Sequence, residues 1–130
     1  MSLHDPISDF LTRIRNAKQQ KHKYVDLRLS KEKLSIAKVM QQSGFIENVI
    51  LNEEQRKMRV FLKYGEGRES VLHGLKRISS PGLRKYVGYR KIPKILGGLG
   101  CAILSTPKGI VDGETARNEK VGGELLCYIW

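Results

Sequence analysis

Residues 45–64 read FIENVILNEEQRKMRVFLKY, and this stretch predicts two neighbouring strands joined by a polar turn. The first part, 45–51, is rich in Ile and Val, which favours a strand. After the polar residues 52–57, every second residue is apolar: Met58, Val60, Leu62 and Tyr64. Alternation with period two is typical of a strand that buries one face.

Two helices are predicted before this strand pair. Asp5-Pro6 suits a helix start, because Asp caps helices and Pro is tolerated at the first helical position. Ser30 is a second capping residue, and Gly44 is placed to end the helix that follows it. A short extended piece, 24–29, lies between the helices. The first half therefore has the predicted order α-β-α-β-β.

The second half is predicted to be mostly β with short helical inserts. Strands are expected at 71–78, 101–104 and 125–130, with a turn at 79–82 and short helical segments at 92–96 and after Asp112. Gly65–Gly67 is a plausible boundary. The sequence thus predicts an α+β protein, with an N-terminal α/β subdomain at 1–66 and a mainly β subdomain at 67–130.

Charge is the most informative bulk property of the 130 residues. Lys and Arg number 24 against 13 Asp and Glu, which gives a formal net charge of +11. Between Glu69 and Asp112 there are eight basic residues and no acidic one. A solvated surface normally mixes both signs, so a segment of one sign favours a polyanionic ligand over a merely well-charged surface.

Several other classes of protein are not expected. No apolar run approaches the roughly 20 residues of a membrane helix, and residues 1–10 do not resemble a secretory signal. Cys101 and Cys127 are too few for a disulfide scaffold and are predicted to be free thiols in a reducing compartment. There is no Gly-Lys dipeptide for a phosphate loop, and the three His residues lack metal-ligand spacing. No catalysis, small-molecule substrate, cofactor or metal is predicted.

Candidate binding residues cluster in the basic segment. Arg84-Lys85-Tyr86 combines cations for phosphates with an aromatic ring on which an unstacked base could stack. Tyr89 offers the same chemistry, but packing against the sheet is an equal alternative for it.

Residues 105–109, Ser-Thr-Pro-Lys-Gly, place two hydroxyls at the end of a predicted strand. The hydroxyls of Ser105 and Thr106 could reach a 2′-hydroxyl, a base edge or a phosphate, and Lys108 adds charge. A plain turn at a strand end would use similar residues. Gly122 and Gly123 add flexible backbone amides. Glu124 is unexpected near phosphate, which indicates that it accepts from a base or ribose, or that it orients a neighbour.

The polar face of the first helix is a further candidate. It carries mostly hydrogen-bond donors, as a phosphate contact needs, and its predicted RNA-binding residues are Thr12, Arg13, Arg15 and Asn16. The alternative is an ordinary solvated face.

In this order the segments resemble one family, the bacterial-type small-subunit ribosomal protein number eight. The resemblance spans essentially the whole chain. It is carried by DPI at 5–7, LTRIRNA at 11–17, SPGLR at 80–84 with Tyr86, IPK at 92–94, GLG at 98–100, ILST at 103–106, and VGGE at 121–124 followed by Tyr128 and Trp130.

The resemblance implies a ribosome-bound, two-domain α+β protein, in the cytoplasm or an organelle of bacterial descent. Such proteins bind the central domain of small-subunit ribosomal RNA early in assembly, for its folding and for platform assembly, beside neighbouring ribosomal proteins. Some members also repress their own operon by binding its mRNA. The family uses the loop that aligns with Ser105 and Thr106, but Pro107 stands where a third hydroxyl is common, and Pro supplies neither that hydroxyl nor a backbone N–H donor.

Two other hypotheses remain open on the sequence. A non-ribosomal regulator of mRNA or DNA would need a duplex-reading helix with several base-reaching side chains, and none is evident. A small hydrolase or transferase acting on a phosphorylated substrate would need a phosphate loop and a general base.

Overall fold

The computed structural model describes residues 5–130, which divide into two compact units. One unit is Pro6–His73, and the other is Asp5 together with Gly74–Trp130. The boundary was predicted after residue 66, whereas the two units divide after His73. The segment 67–73 belongs to the first unit, where Val71 N donates to Lys63 O at 3.0 Å. Residues 1–4 lie outside the described residues. They belong to the predicted N-terminal subdomain and to the segment 1–10 that does not resemble a secretory signal.

The first unit has the predicted order α-β-α-β-β. Its elements are α1 (Pro6–Gln19), β1 (Tyr24–Arg28), α2 (Lys31–Gln42), β2 (Ile46–Asn52) and β3 (Lys57–Leu62). The strands form an antiparallel sheet in the order β1-β3-β2. As expected from the sequence, Ser30 caps α2, since its side chain accepts from Lys33 N at 3.1 Å.

The core of the first unit follows the two periodicities seen in the sequence. Met58, Val60 and Leu62 of β3 are buried, whereas the residues that alternate with them are more exposed. The helix α1 buries one stripe, which consists of Ile7, Phe10, Leu11, Ile14 and Ala17. The remaining faces of α1 and of the sheet are thereby left to solvent or to ligands.

The second unit is built on a five-stranded antiparallel sheet. Its strands are β4 (Leu75–Arg77), β5 (Tyr86–Val87), β6 (Cys101–Thr106), β7 (Gly109–Asp112) and β8 (Gly123–Ile129), and it has one short helix, α3 (Gly113–Asn118). The order is β4-β8-β6-β7, and β5 also pairs with β8. Two antiparallel sheets with three helices confirm the predicted α+β class.

Three details of the second half differ from the prediction. The strand expected at 71–78 is only β4, because Val71 is bonded to Lys63 of the first unit. The helical turn expected at 92–96 is replaced by 3-10 turns at Tyr89–Lys91 and Ile95–Gly98, the second broken by the left-handed backbone of Leu96 and Gly97. The short strands β5 and β7 were not predicted.

Candidate RNA interface

Tyr86, Glu124 and Ser105 lie side by side across three strands of the second unit. Tyr86 of β5 pairs with Glu124 of β8, and Ser105 of β6 pairs with Glu124 from the other side. Directly paired residues of antiparallel strands project to the same face of a sheet. The row of Tyr86, Glu124 and Ser105 therefore defines one surface, which we call the Glu124 face.

The opposite face of the same strands is anchored in the core. Leu104 and Leu125 each lie one residue along from the row and are buried in an apolar cluster with Ile92, Ala102 and Ala116. Because neighbouring residues of a strand alternate between faces, burial of the leucines fixes which side chains the Glu124 face presents.

Glu124 is the centre of a hydrogen-bonded network. Its Oε2 accepts from Ser79 Oγ at 2.6 Å and from Arg84 Nη1 at 2.9 Å. Ser79 is fully buried, and its hydroxyl oxygen in turn accepts from Lys85 N at 3.0 Å. Glu124 thus orients a neighbouring cation, which was one of the two roles that the sequence left open for it.

The network determines the ionisation of Glu124. Burial by itself raises the pKa of this carboxyl, but hydrogen bonds from Ser79 and Arg84, aided by the positive charge of Arg84, outweigh burial, and the pKa is lowered. The carboxylate is therefore charged at neutral pH and holds the exposed guanidinium of Arg84 in place beside Tyr86.

The segment that carries the cations is bound tightly to β8. Ser79 N donates to Leu125 O at 3.1 Å, and Leu125 N donates to Lys85 O at 2.8 Å. Between these two bonds, Ser80 and Leu83 pair to close the turn predicted at 79–82. Arg84 and Lys85 thus lie in a segment whose two ends are hydrogen-bonded to β8.

Thr106 and Ser105 have different roles. Thr106 Oγ1 donates to Gly109 O at 2.8 Å and accepts from Lys108 N at 3.1 Å, so it closes the two-residue turn between β6 and β7. Ser105 is half-buried, and within residues 5–130 its hydroxyl has no hydrogen-bond partner. Of the two predicted hydroxyls, only that of Ser105 keeps its donor for a ligand.

Pro107 and Lys108 occupy the exposed turn itself. Pro suits the first position of a tight turn, where its fixed φ is favourable and its missing N–H costs nothing. Lys108 Nζ lies 3.8 Å from Glu119 Oε1, but both side chains are largely exposed, so water screens this pair and the charge of Lys108 stays accessible.

Gly122 and Gly123 permit close approach of backbones. A Cβ on Gly123 would collide with the carbonyl oxygen of Ser105, and a Cβ on Gly122 would collide with that of Val87. Neither glycine has a positive φ. Their role in the fold is therefore to bring β8 close to its partners, which sets the spacing of the Glu124 face.

Tyr86 and Tyr89 differ in their surroundings in the structure. Tyr86 is 69% exposed, as stacking on a base requires. Tyr89 is half-buried and packs against the apolar cluster, and its hydroxyl accepts from Arg90 Nε at 3.1 Å. Packing is therefore the better account of Tyr89.

The predicted residues of α1 lie in the other unit. Thr12, Arg13 and Asn16 are exposed, and Arg15 is half-buried. Arg13 Nε lies 3.3 Å from Asp9 Oδ2 in an exposed pair one helical turn apart. These side chains of α1 belong to the first unit and not to the Glu124 face, and their contact with RNA stays a prediction.

Ser79 was missed as a site residue. Its bond to Glu124 joins positions far apart in the chain, and a serine before Ser80-Pro81-Gly82 indicates only a turn. The two residues are brought together by the hydrogen bond from Ser79 N to Leu125 O, a pairing that appears only in the folded protein.

Among residues 5–130 there is no group of three or more His, Cys, Asp or Glu side chains arranged to hold a metal ion. Within the same range, no helix has the length and apolar character needed to cross a membrane. Cys101 and Cys127 are not joined in a disulfide, and burial raises the pKa of Cys127 to about 12, so this thiol is protonated at neutral pH.

Comparison with known proteins agrees with the resemblance seen in the sequence. A family model described as ribosomal protein S8 matches residues 5–130. The chain is 50% identical over 133 residues to the small ribosomal subunit protein uS8 of Protochlamydia amoebophila, with both chains covered completely. It is 52% identical over 132 residues to the protein of the same name from Levilactobacillus brevis, again with full coverage of both. The chain therefore belongs to the ribosomal protein S8 family, which is a family of structural proteins and not of enzymes.

Proposed function

We propose that this protein is a structural component of the small ribosomal subunit and that it binds the central domain of small-subunit ribosomal RNA through the Glu124 face. The observation that carries the proposal is the row of Tyr86, Glu124 and Ser105. An exposed ring, a carboxylate that orients a cation, and an open hydroxyl stand together there. The names of the relatives support the ribosomal location.

Each group on the Glu124 face suits a different part of RNA. The ring of Tyr86 stacks on an unpaired base, and the Ser105 hydroxyl bonds to a 2′-hydroxyl or a base edge. Arg84 and Lys85 neutralise backbone phosphates. Because Glu124 holds Arg84 before RNA arrives, less conformational entropy is lost on binding.

The remaining expectations extend the same proposal. Thr12, Arg13, Arg15 and Asn16 of α1 make phosphate contacts, and neighbouring ribosomal proteins cover other parts of the surface. The protein is bound to ribosomes in the cytoplasm or its organellar equivalent, and its binding supports folding of the central domain and assembly of the platform. A face that recognises RNA shape also accepts an operon mRNA segment of the same shape, which would repress translation.

Titration with salt tests the proposal. Purified protein is titrated with a central-domain rRNA fragment and with a duplex of equal length, from low to high salt. We expect binding to the fragment to persist at salt concentrations that abolish duplex binding. If both affinities fall together, the +11 charge alone accounts for binding and the proposal fails.

Variants separate charge from shape in the same assay. Lys85→Ala removes one cation from the segment that is hydrogen-bonded to β8. The slope of log affinity against log salt should therefore fall by about the amount that one phosphate contact contributes. Lys38→Ala, an exposed lysine on α2, is the matched control and should leave the preference for the fragment unchanged. An unaltered slope for Lys85→Ala would remove that side chain from the interface.

A further inference from the structure

The first unit contains a cavity of about 480 Å³ whose charged lining is almost entirely basic. Four cations line it. Arg13 comes from α1, Arg28 from β1, and Arg56 and Lys57 from the turn before β3 and the first residue of β3. Its one acidic residue is Asp26. We call this the basic cavity, and none of its residues belongs to the Glu124 face.

Asp26 forms an ion pair with Arg59. Its two carboxylate oxygens accept from Arg59 Nε at 2.7 Å and Arg59 Nη2 at 3.1 Å. The hydrogen bond from Arg59 lowers the pKa of Asp26, so the pair stays ionised. Arg59 itself does not line the cavity. The charge of Asp26 is thus largely neutralised from outside the cavity.

Arg13 pairs with Asp9, but among the described residues the other three cations of the cavity lack such partners. Within residues 5–130, neither Arg28, Arg56 nor Lys57 has an acidic side chain within ion-pair distance. Arg28 and Lys57 are directly paired across β1 and β3, which sets like charges side by side, two positions from the Asp26–Arg59 pair. Cross-strand like charges weaken a sheet, so an external anion would relieve an unfavourable arrangement.

The backbone at Arg56 adds to this argument. Arg56 has φ of +54°, a left-handed conformation in which Gly or Asn is more usual. The turn thus places the Arg56 side chain in the lining of the cavity, next to two other unpaired cations.

We propose that the basic cavity binds backbone phosphates of RNA, as a second RNA-binding site on the first unit. The proposal rests on RNA being the ligand of the protein. A repeating row of phosphates satisfies several neighbouring cations, whereas protein partners favour interfaces with an apolar and aromatic centre. Guanidinium groups bind phosphate through two parallel hydrogen bonds, which suits Arg28 and Arg56 in particular.

The full-length protein and a transcript of the complete small-subunit rRNA provide the test. Arginine side chains are modified with phenylglyoxal, with and without the transcript, and the sites are located by mass spectrometry. We expect Arg28 and Arg56 to be protected and the exposed Arg68 to stay reactive. If Arg28 and Arg56 react freely in the complex and are protected only in assembled subunits, a protein neighbour fills the cavity and the proposal is overturned.

Charge-matched variants give a second readout. Arg28→Gln with Arg56→Gln should reduce the slope of log affinity against log salt by roughly 1.5, as two lost phosphate contacts require. The control is Lys21→Gln with Lys38→Gln, which removes the same charge, and Lys21 matches Arg56 in its left-handed backbone, with φ of +56°. Equal slopes for both double variants would show that only net charge matters and would overturn the proposal.

The two proposed sites can fail independently. If the wild-type protein prefers the rRNA to a duplex but Arg28 and Arg56 remain unprotected, only the basic cavity is wrong. If the arginines are protected but there is no preference over a duplex, the cavity proposal stands and the Glu124 face is not the specific site.

Discussion

Ser79 Oγ and Glu124 Oε2 are 2.6 Å apart, although 45 positions separate the two residues along the chain. The same carboxylate oxygen accepts from Arg84. A buried hydroxyl, a partly buried carboxylate and an exposed guanidinium thus form one linked group, so the position of the cation depends on the fit of Ser79 beneath it.

Substitution of Glu124 should make stability less sensitive to acid. Glu124→Gln removes the ion pair with Arg84 and should lower the free energy of unfolding by about 1–2 kcal/mol at pH 7. Because the folded-state pKa of Glu124 is lowered, its contribution is present above the unfolded value of roughly 4.3 and is lost as pH falls through the folded pKa. Urea unfolding from pH 7 to pH 3 should therefore show the wild type and the variant converging in acid. A difference that stays constant over this range would contradict the lowered pKa.

Of the two hydroxyls of β6, that of Ser105 should contribute to RNA binding and that of Thr106 to stability. Ser105→Ala should weaken binding to the central-domain fragment by about 1 kcal/mol while leaving the melting temperature unchanged. Thr106→Val removes both hydrogen bonds of the turn and should lower stability by about 1 kcal/mol. Calorimetry and RNA titration of both variants decide this. A Ser105→Ala variant with wild-type affinity would place its hydroxyl outside the interface.

The ring of Tyr86 should matter more than its hydroxyl. Tyr86→Ala removes the stacking surface and should cost roughly 1–3 kcal/mol of RNA affinity. Tyr86→Phe keeps the ring and serves as the matched control, with affinity near that of the wild type. Fluorescence titration with the rRNA fragment measures both. Equal losses in the two variants would point to hydrogen bonding through the phenol instead.

Gly123 should not tolerate a side chain. Gly123→Ala places a Cβ against the carbonyl oxygen of Ser105, so β6 and β8 must move apart. We expect a loss of about 1–3 kcal/mol in unfolding free energy, as for other overpacked sites. Gly82→Ala is the control, because a Cβ there meets no atom within 4 Å. Thermal unfolding of both proteins tests the difference, and similar melting temperatures would argue against close packing at Gly123.

The two cysteines should differ in reactivity. With its pKa raised to about 12, Cys127 has roughly one part in ten thousand thiolate at pH 8, and it is buried. Cys101 is half-buried and should react first with a disulfide reagent. We expect one thiol to titrate rapidly in the folded protein and both in denaturant. Rapid reaction of Cys127 without denaturant would mean that β8 opens readily.

Local signals account for what could be predicted of the fold. The capping of α2 by Ser30 and the alternation of Met58, Val60 and Leu62 depend on neighbours within a few positions, and the structure confirms them. The two-residue strand β5 has no such pattern, because it is extended only through its pairing with Glu124 and Gly123. The strand β7 likewise depends on its pairing with β6.

The candidate site shows the same limit. Tyr86, Ser105 and Glu124 were each selected by residue type, but nothing local places them in one row. The different roles of Ser105 and Thr106 also follow from the turn geometry, and not from their shared hydroxyl chemistry. The basic cavity draws on three separated segments, so the sequence singled out Arg13 but gave no sign that Arg28, Arg56 and Lys57 lie beside it.

The central position of β8 in the second sheet has a consequence for folding during synthesis. In the second sheet, β4 and β5 pair only with β8 and β6 pairs with β8 on one side, whereas the first unit is complete by residue 73. During synthesis the first unit is therefore free to fold as it emerges, while the Glu124 face cannot exist until residues 123–129 have left the exit tunnel. The strand at the centre of the second sheet is thus the last of its strands to be synthesised, so this face forms only after the first unit has been made.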